Sequence, residues 1–339
     1  MKRMMSTVIV SLLFLSTFAV GQSEFKKDKL SIIDLGRLPG GISSSANGIN
    51  KRGQVVGSGT INPEFDVHAL LWQDGGIIDL GTLPGGTRSF AEAINDRGQI
   101  VGASDSATTF SRAVLWQDGL IINLGTLPGG IVSTASDINK RGQIVGSSGS
   151  ASSGSRATLW ENGTITDLGT LPGATGGSAT AINDRGQIVG ISGNALIADH
   201  AFLWEDGRMI DLGTLPGGTN SFANDINNRG QVVGLSDSSA GLRAFLWENG
   251  RMIDLGALPG GTSSFAAAIN DRGQVVGFSN TGSGESHAFL WEDGRMIDLG
   301  TLPGGMGSAA NEINDHGQVV GQSDTAPSSE VHATLWTKR

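Results

Sequence analysis

The tripeptide [DN]-L-G occurs seven times, at Asp34, Asp79, Asn123, Asp167, Asp211, Asp254 and Asp298, at intervals of 45, 44, 44, 44, 43 and 44 residues. Each copy runs on into Leu-Pro-Gly. I-N-x-x-G-Q-[VI]-V-G follows, with its asparagine at Asn50, Asn95, Asn139, Asn183, Asn227, Asn270 and Asn314. [HR]-A-x-L-W comes last and ends on Trp72, Trp116, Trp160, Trp204, Trp247, Trp291 and Trp336, which are all seven tryptophans. A length of 339 residues suggests about two ordinary domains, but a repeat covering nearly the whole chain overrides that expectation. Such a unit cannot bury its apolar face alone, so the copies must stack.

One copy reads as four short strands. In the copy beginning at Pro259, Ser264 to Ile269 is the first strand, closed by the turn Asn270-Asp271-Arg272-Gly273. Gln274 to Ser279 is the second, with β-branched Val275 and Val276. His287 to Glu292 is the third. Asp293-Gly294 is a two-residue hairpin signal, and Arg295 to Leu299 is the fourth. No segment keeps a helical period, and 53 glycines leave little room for long helices. Four strands at a period near 44 predict a β-propeller blade.

The two ends are complementary. The chain opens on an orphan fourth strand, Leu30 to Leu35, and closes on an orphan third strand, His332 to Trp336. The N-terminal strand therefore completes the last blade. The prediction is an all-β, seven-bladed propeller with four antiparallel strands per blade. An open solenoid, the other repeat architecture, leaves the matching ends unexplained.

The motifs D-L-G-x-L-P-G-G, A-I-N-D-x-G-Q-V-V-G and H-A-F-L-W resemble the HAF extracellular-repeat family of bacteria. His200-Ala201-Phe202 and His287-Ala288-Phe289 carry the naming motif unaltered, whereas Arg243-Ala244-Phe245 departs at its first position. The resemblance covers about residues 32–336. It implies an exported repeat protein and brings no reaction, cofactor or ligand.

Met1 to Gly21 independently reads as a signal peptide. Lys2 and Arg3 form the charged region, Val8 to Val20 the apolar one, and Ala19-Val20-Gly21 a small-x-small cleavage site. The mature domain then spans 22–339, at the cell-envelope exterior, in the periplasm or secreted. No later run is long and apolar enough to span a bilayer. The formal charge is −9, with 23 Lys plus Arg against 32 Asp plus Glu and no basic cluster along the chain, which argues against nucleic acid as a partner. The absence of Cys removes disulfides, thiolate metal sites and cysteine nucleophiles.

Most repeated residues read as architecture. Ala46, Ala91, Ala135, Ala179, Ala223, Ala266 and Ala310 sit where inner strands converge. The tryptophans are assigned to the core between blades. Asn and Gln amides can satisfy backbone groups there. The [HR] position holds His68, Arg112, Arg156, His200, Arg243, His287 and His332. Arginine is not a metal ligand, so its exchange with histidine points to a donor to a neighbouring carboxylate or carbonyl, the Asp of D-L-G being one candidate acceptor. Asn162-Gly163-Thr164 matches a glycosylation sequon and reads equally as a hairpin turn. No P-loop, EF-hand or Ser-His-Asp set is present, and nothing calls for a metal or a cofactor.

Function should break the symmetry. The loops between second and third strands vary most, at Ile61 to Val67, Ser104 to Ser111, Asn194 to Asp199 and Asp324 to Val331, on the Pro-Gly-Gly face. Inner strands also vary near the axis. Phe90, Phe222 and Phe265 lie four residues before the repeated Ile. Asp137, Asp225 and Glu312 lie one before it, and Glu92 with Asn47, Asn224 and Asn311 two before it. These are the candidate ligand-binding residues, with no catalytic assignment. They suit a saccharide, a protein or a cationic peptide. The expected role is a binding or scaffold module, and the alternative is a propeller glycan hydrolase or lyase using the same acids.

Overall fold

The computed structural model describes residues 30–62, 66–108, 110–150, 154–194, 197–325 and 330–338. Residues 1–21, which the sequence marks as a candidate signal peptide, and parts of the four variable loops lie outside them. The chain forms seven four-stranded antiparallel sheets arranged as a closed seven-bladed propeller. Blade 1 is Ser44–Ile49, Val55–Thr60, Val67–Gln73 and Gly76–Asp79. Blades 2 to 6 begin at inner strands Ser89–Ile94, Val132–Ile138, Gly176–Ile182, Ser221–Ile226 and Ser264–Ile269. Blade 7 is Ser308–Ile313, Val319–Asp324 and Val331–Lys338, and its outer strand is Leu30–Gly36 from the other end of the chain. Leu30 pairs with Lys338 and Ile33 with Leu335, so the ring closes as the orphan strands require.

The core lies between blades. Val56 and Ala69 of blade 1 pack with Leu83, Ala91, Ile94, Val114 and Trp116 of blade 2. The same arrangement closes the ring, where Val320 and Ala333 meet Ala46, Val55 and Trp72. The repeated alanines are at most 1% exposed, wedged against the preceding blade rather than pointing down the axis. Trp72, Trp116, Trp160 and Trp336 are buried and the other three partly so. The glycine of V-V-G is required by close approach: a Cβ on Gly277 would lie 1.9 Å from the Phe265 carbonyl oxygen. Outer hairpins turn on pairs such as Asp74-Gly75, at φ 52° and 76°, as a two-residue type I′ turn demands.

Two polar devices brace the ring, one within blades and one between them. Each third-strand histidine donates Nδ1–H to the outer-strand aspartate of its own blade: His68–Asp79 at 2.9 Å, His200–Asp211 and His287–Asp298 at 2.8 Å, and His332–Asp34 at 2.7 Å. Arg156 takes Asp167 in the same way at 3.1 Å. These pairs are partly exposed, so His287→Gln costs about 0.5 kcal/mol, read from the denaturation midpoint. A loss of several kcal/mol would contradict a surface role.

The second device is a belt of asparagines. Asn50 Nδ2 donates to the Asn95 carbonyl of the next blade at 3.2 Å, and Asn95 to Asn139, Asn139 to Asn183 and Asn183 to Asn227 at 3.1 Å. Asn227 reaches Asn270 at 3.0 Å, Asn270 reaches Asn314, and Asn314 returns to Asn50 at 3.1 Å. The circuit is complete around the ring.

Candidate functional site

All seven inner strands carry a register shift at the same place, between the repeated Ala and the residue before Ile, as in Ala135/Asp137 and Ala223/Asp225. In a regular strand, adjacent side chains point to opposite faces. A bulge inserts one extra residue and re-aims its neighbours. Here it brings two consecutive side chains per blade into one place, and it frees a backbone N–H and a carbonyl that the ladder no longer pairs.

Those freed groups are stitched across blades. Asn47 Nδ2 donates to the Ala91 carbonyl at 3.0 Å, Asn224 to Ala266 at 2.7 Å and Asn311 to Ala46 at 2.9 Å. Thr180 Oγ1 donates to Ala223 at 2.9 Å. The carboxylates accept in the opposite sense. Asp137 takes the N–H of Ile138 at 2.7 Å and that of Ile182 in the next blade at 2.8 Å. Asp225 takes those of Ile226 and Ile269 at the same two distances. Glu312 takes Ile313 N–H at 2.8 Å. The acids thus occupy blades 3, 5 and 7, and the blade after each has Ala or Gly at that position.

These side chains line an axial cavity of about 490 Å³. Glu92, Asp137, Asp225 and Glu312 are all on its wall, as are Asn47, Asn224 and Asn311. The residue after each belt asparagine forms its mouth: Lys51, Asp96, Lys140, Asp184, Asn228, Asp271 and Asp315. Lys51 pairs with Asp315 and Lys140 with Asp184, both at 2.7 Å. Phe90, Phe222 and Phe265 are not part of this wall. They lie near the start of their strands, at the other end of the channel. Phe90 is 36% exposed there and Phe265 stacks on Phe278 at 4.9 Å. The cavity opens at the tight-hairpin end, opposite the variable-loop face that the sequence singles out.

Burial dominates the electrostatics. It raises the Asp137 carboxyl to about 7, with the Asp225 charge adding to it and the Ile182 N–H opposing. Asp225 is raised to about 6 for the same first reason, with Asp271 adding to it. Burial also lifts Glu312 well above the ordinary range, with Asp225 and Asp137 repelling it, and raises Glu92. At the mouth, the bonds from Lys51 and Lys140 outweigh burial and hold Asp315 and Asp184 below the usual carboxylate range. Among the described residues, no three His, Cys, Asp or Glu converge as a metal centre.

The chain matches no protein-family model and no curated protein sequence. Its fold is similar to solved propellers. A puromycin-hydrolyzing peptidase from Mycobacterium tuberculosis aligns with a TM-score of 0.59 at 14% identity, over 89% of this chain and 54% of the peptidase. A prolyl endopeptidase aligns at 0.55 and 12%, over 87% and 50%. The β-propeller domain of the Trilobed protease from Pyrococcus furiosus aligns at 0.53 and 11%, over 88% of this chain and 95% of that domain. The chain therefore spans about half the length of the whole peptidases. At these identities the likeness is one of fold.

Proposed function

We propose that the chain is an exported binding module whose axial cavity takes a cationic group, the end of a polyamine or of a basic peptide. The observation that carries this reading is that four carboxylates from four blades, with three asparagine side chains, line one cavity at the hairpin mouth. Export rests on the N-terminal signal pattern and on the likeness to extracellular repeats.

Three carboxylates repel one another in an enclosed space and hold protons that free carboxylates release. An entering ammonium or guanidinium replaces those protons, and its N–H groups find oxygens with lone pairs to spare. The amides orient it. The hydrolase or lyase alternative draws on Asp137, whose carboxyl at about 7 is placed for acid–base work. Each of its oxygens accepts one backbone N–H group, which fixes the carboxyl on the wall and leaves one lone pair per oxygen for a ligand.

Titration with spermidine and with an arginine-containing tripeptide, followed calorimetrically, tests the reading. Saturable binding is expected, weakened about tenfold by Asp225→Asn. Absence of binding for every cation tried, or equal binding by Asp225→Asn, would remove the cavity as the site.

A further inference from the structure

The cavity wall carries backbone donors that the fold does not use. Each belt asparagine bonds to the second strand of its blade, Asn50 N–H to the Gln54 carbonyl at 3.1 Å and Asn95 N–H to that of Gln99 at 3.0 Å. Residue pairs along an antiparallel ladder alternate between bonded and non-bonded. The N–H of the isoleucine before each asparagine therefore points off the free inner edge of the blade, and all seven isoleucines line the cavity.

The acids cap most of these groups in pairs. Asp137 takes Ile138 and Ile182 in blades 3 and 4, and Asp225 takes Ile226 and Ile269 in blades 5 and 6. Glu312 takes only Ile313, in blade 7. Among the described residues nothing accepts from the N–H of Ile49 or Ile94, in blades 1 and 2. Gly48 stands at the acid position of blade 1, where an aspartate placed like Asp137 would serve both. Ile49 and Ile94 are 7% and 9% exposed, and an N–H in such a place costs free energy until an oxygen meets it.

The rim repeats the pattern. The residue after each belt asparagine donates its N–H to its counterpart in the next blade: Lys51 to Asp96 and Lys140 to Asp184 at 3.0 Å, Asp184 to Asn228 and Asp271 to Asp315 at 2.9 Å, and Asn228 to Asp271 at 2.8 Å. Asp96 and Asp315 have Lys140 and Lys51 as counterparts, side chains without an acceptor. Among the described residues, the uncapped N–H groups of both tiers thus fall in blades 7, 1 and 2. The same sector has carboxyl oxygens to spare: Glu92 accepts only the Asn47 amide, at 3.3 Å, and Glu312 only the Ile313 N–H.

We infer that the cation this sector takes is the free amino terminus of a peptide. Its ammonium donates to Glu92 and Glu312, and its first carbonyl oxygens accept from Ile49 and Ile94. The inference rests on the reading of the cavity as a cation site and names the cation. A polyamine brings donors alone and leaves the N–H groups unmet. An amino-acid carboxylate brings oxygens, but enters beside Glu92 and Glu312 against like charge. An amino sugar brings hydroxyl oxygens, weaker acceptors than an amide carbonyl. In a peptide, the amino terminus is where an ammonium stands next to a neutral carbonyl.

The test is calorimetric titration of the parent protein at about pH 7, where an α-amino group is mostly protonated. Ala-Ala-Ala-amide should bind roughly 10- to 100-fold tighter than butylamine, which has the same charge and no acceptor. Acetyl-Ala-Ala-Ala-amide should not bind, and glucosamine should bind less tightly than the free peptide. Gly48→Asp should cap both N–H groups and abolish the preference over butylamine while spermidine still binds. A Cβ on Gly48 lies 3.1 Å from the Glu92 carbonyl oxygen, which strains that variant. Ala93→Asp, where a Cβ is already present, covers Ile94 alone and should lose part of the preference. Spermidine binding with no preference for Ala-Ala-Ala-amide over butylamine would overturn the inference and leave the cation cavity standing. No binding by any amine would remove both. Equal binding of the acetylated peptide, a preference for glucosamine, or an undiminished preference in both variants would also overturn it.

Discussion

Asn227→Ala should lower the stability of the whole ring by about 4 kcal/mol, although it removes three heavy atoms from a turn. Asn227 is 4% exposed and uses its entire amide. Its Oδ1 accepts the N–H groups of Arg229 and Gln231 at 3.0 Å, and its Nδ2 donates to Gln231 Oε1 at 2.7 Å and to the Asn270 carbonyl at 3.0 Å. A net hydrogen bond contributes about 1 kcal/mol, and orphaning buried partners costs more. Two backbone N–H groups and one carbonyl lose their partner at once. The blade 5 hairpin loses its internal staple, and the boundary with blade 6 loses its link in the belt. Chemical denaturation measures the effect, and a change below about 1 kcal/mol would show that the belt is incidental.

The second large effect is on pH dependence. Asp137, Asp225 and Glu312 have folded-state values raised above those of an unfolded chain, so the folded ring holds protons that the unfolded chain releases. Their contribution is complete below about pH 4; the Asp225 and Asp137 parts are lost as pH rises through about 6 and about 7, and the Glu312 part as pH rises through its own raised value. Asp237 acts in the opposite sense. Bonds from Asn220 and Thr219 outweigh burial and hold it at about 2, so its contribution is present above about pH 4 and is lost as pH falls from there through about 2. Stability should therefore peak in mild acid. Between pH 8 and pH 5 the gain should be about 3 kcal/mol, or about 6 °C in melting temperature. Asp137→Asn/Asp225→Asn/Glu312→Gln should flatten that slope. A parent protein that melts lower at pH 5 than at pH 8 would contradict the assignment.

The architecture was readable because every blade repeats its own evidence. Ser264–Ile269 falls where the pattern predicts, and the outer strand ends at Asp298, one residue early. The exchange of His with Arg marks a donor but leaves its acceptor open, and the structure uses both kinds: Asp298 for His287 and the Thr262 carbonyl for Arg243. The bulge was not readable, because it arises from counting residues across two strands. Without it, Glu92 and its neighbour Ala93 would face opposite ways and no cavity wall would be foreseen. Separation in sequence hid the rest. Lys51 meets Asp315 only once the ring closes. Nearness to the axis is all that links the phenylalanines to the acids in the sequence. Strand direction parts them, placing the rings at one end of the channel and the carboxylates at the other.

Proton release on ligand binding is the most direct test of the cavity as a cation site. Spermidine titrations at pH 6.5 in buffers of different ionisation enthalpy count the protons displaced. Asp137, at about 7, is largely protonated at that pH, with Asp225 partly so. The account predicts release of about one proton per ligand and affinity that rises from pH 5.5 to 8. Binding without proton exchange, at an affinity independent of pH, would place the cation elsewhere on the ring.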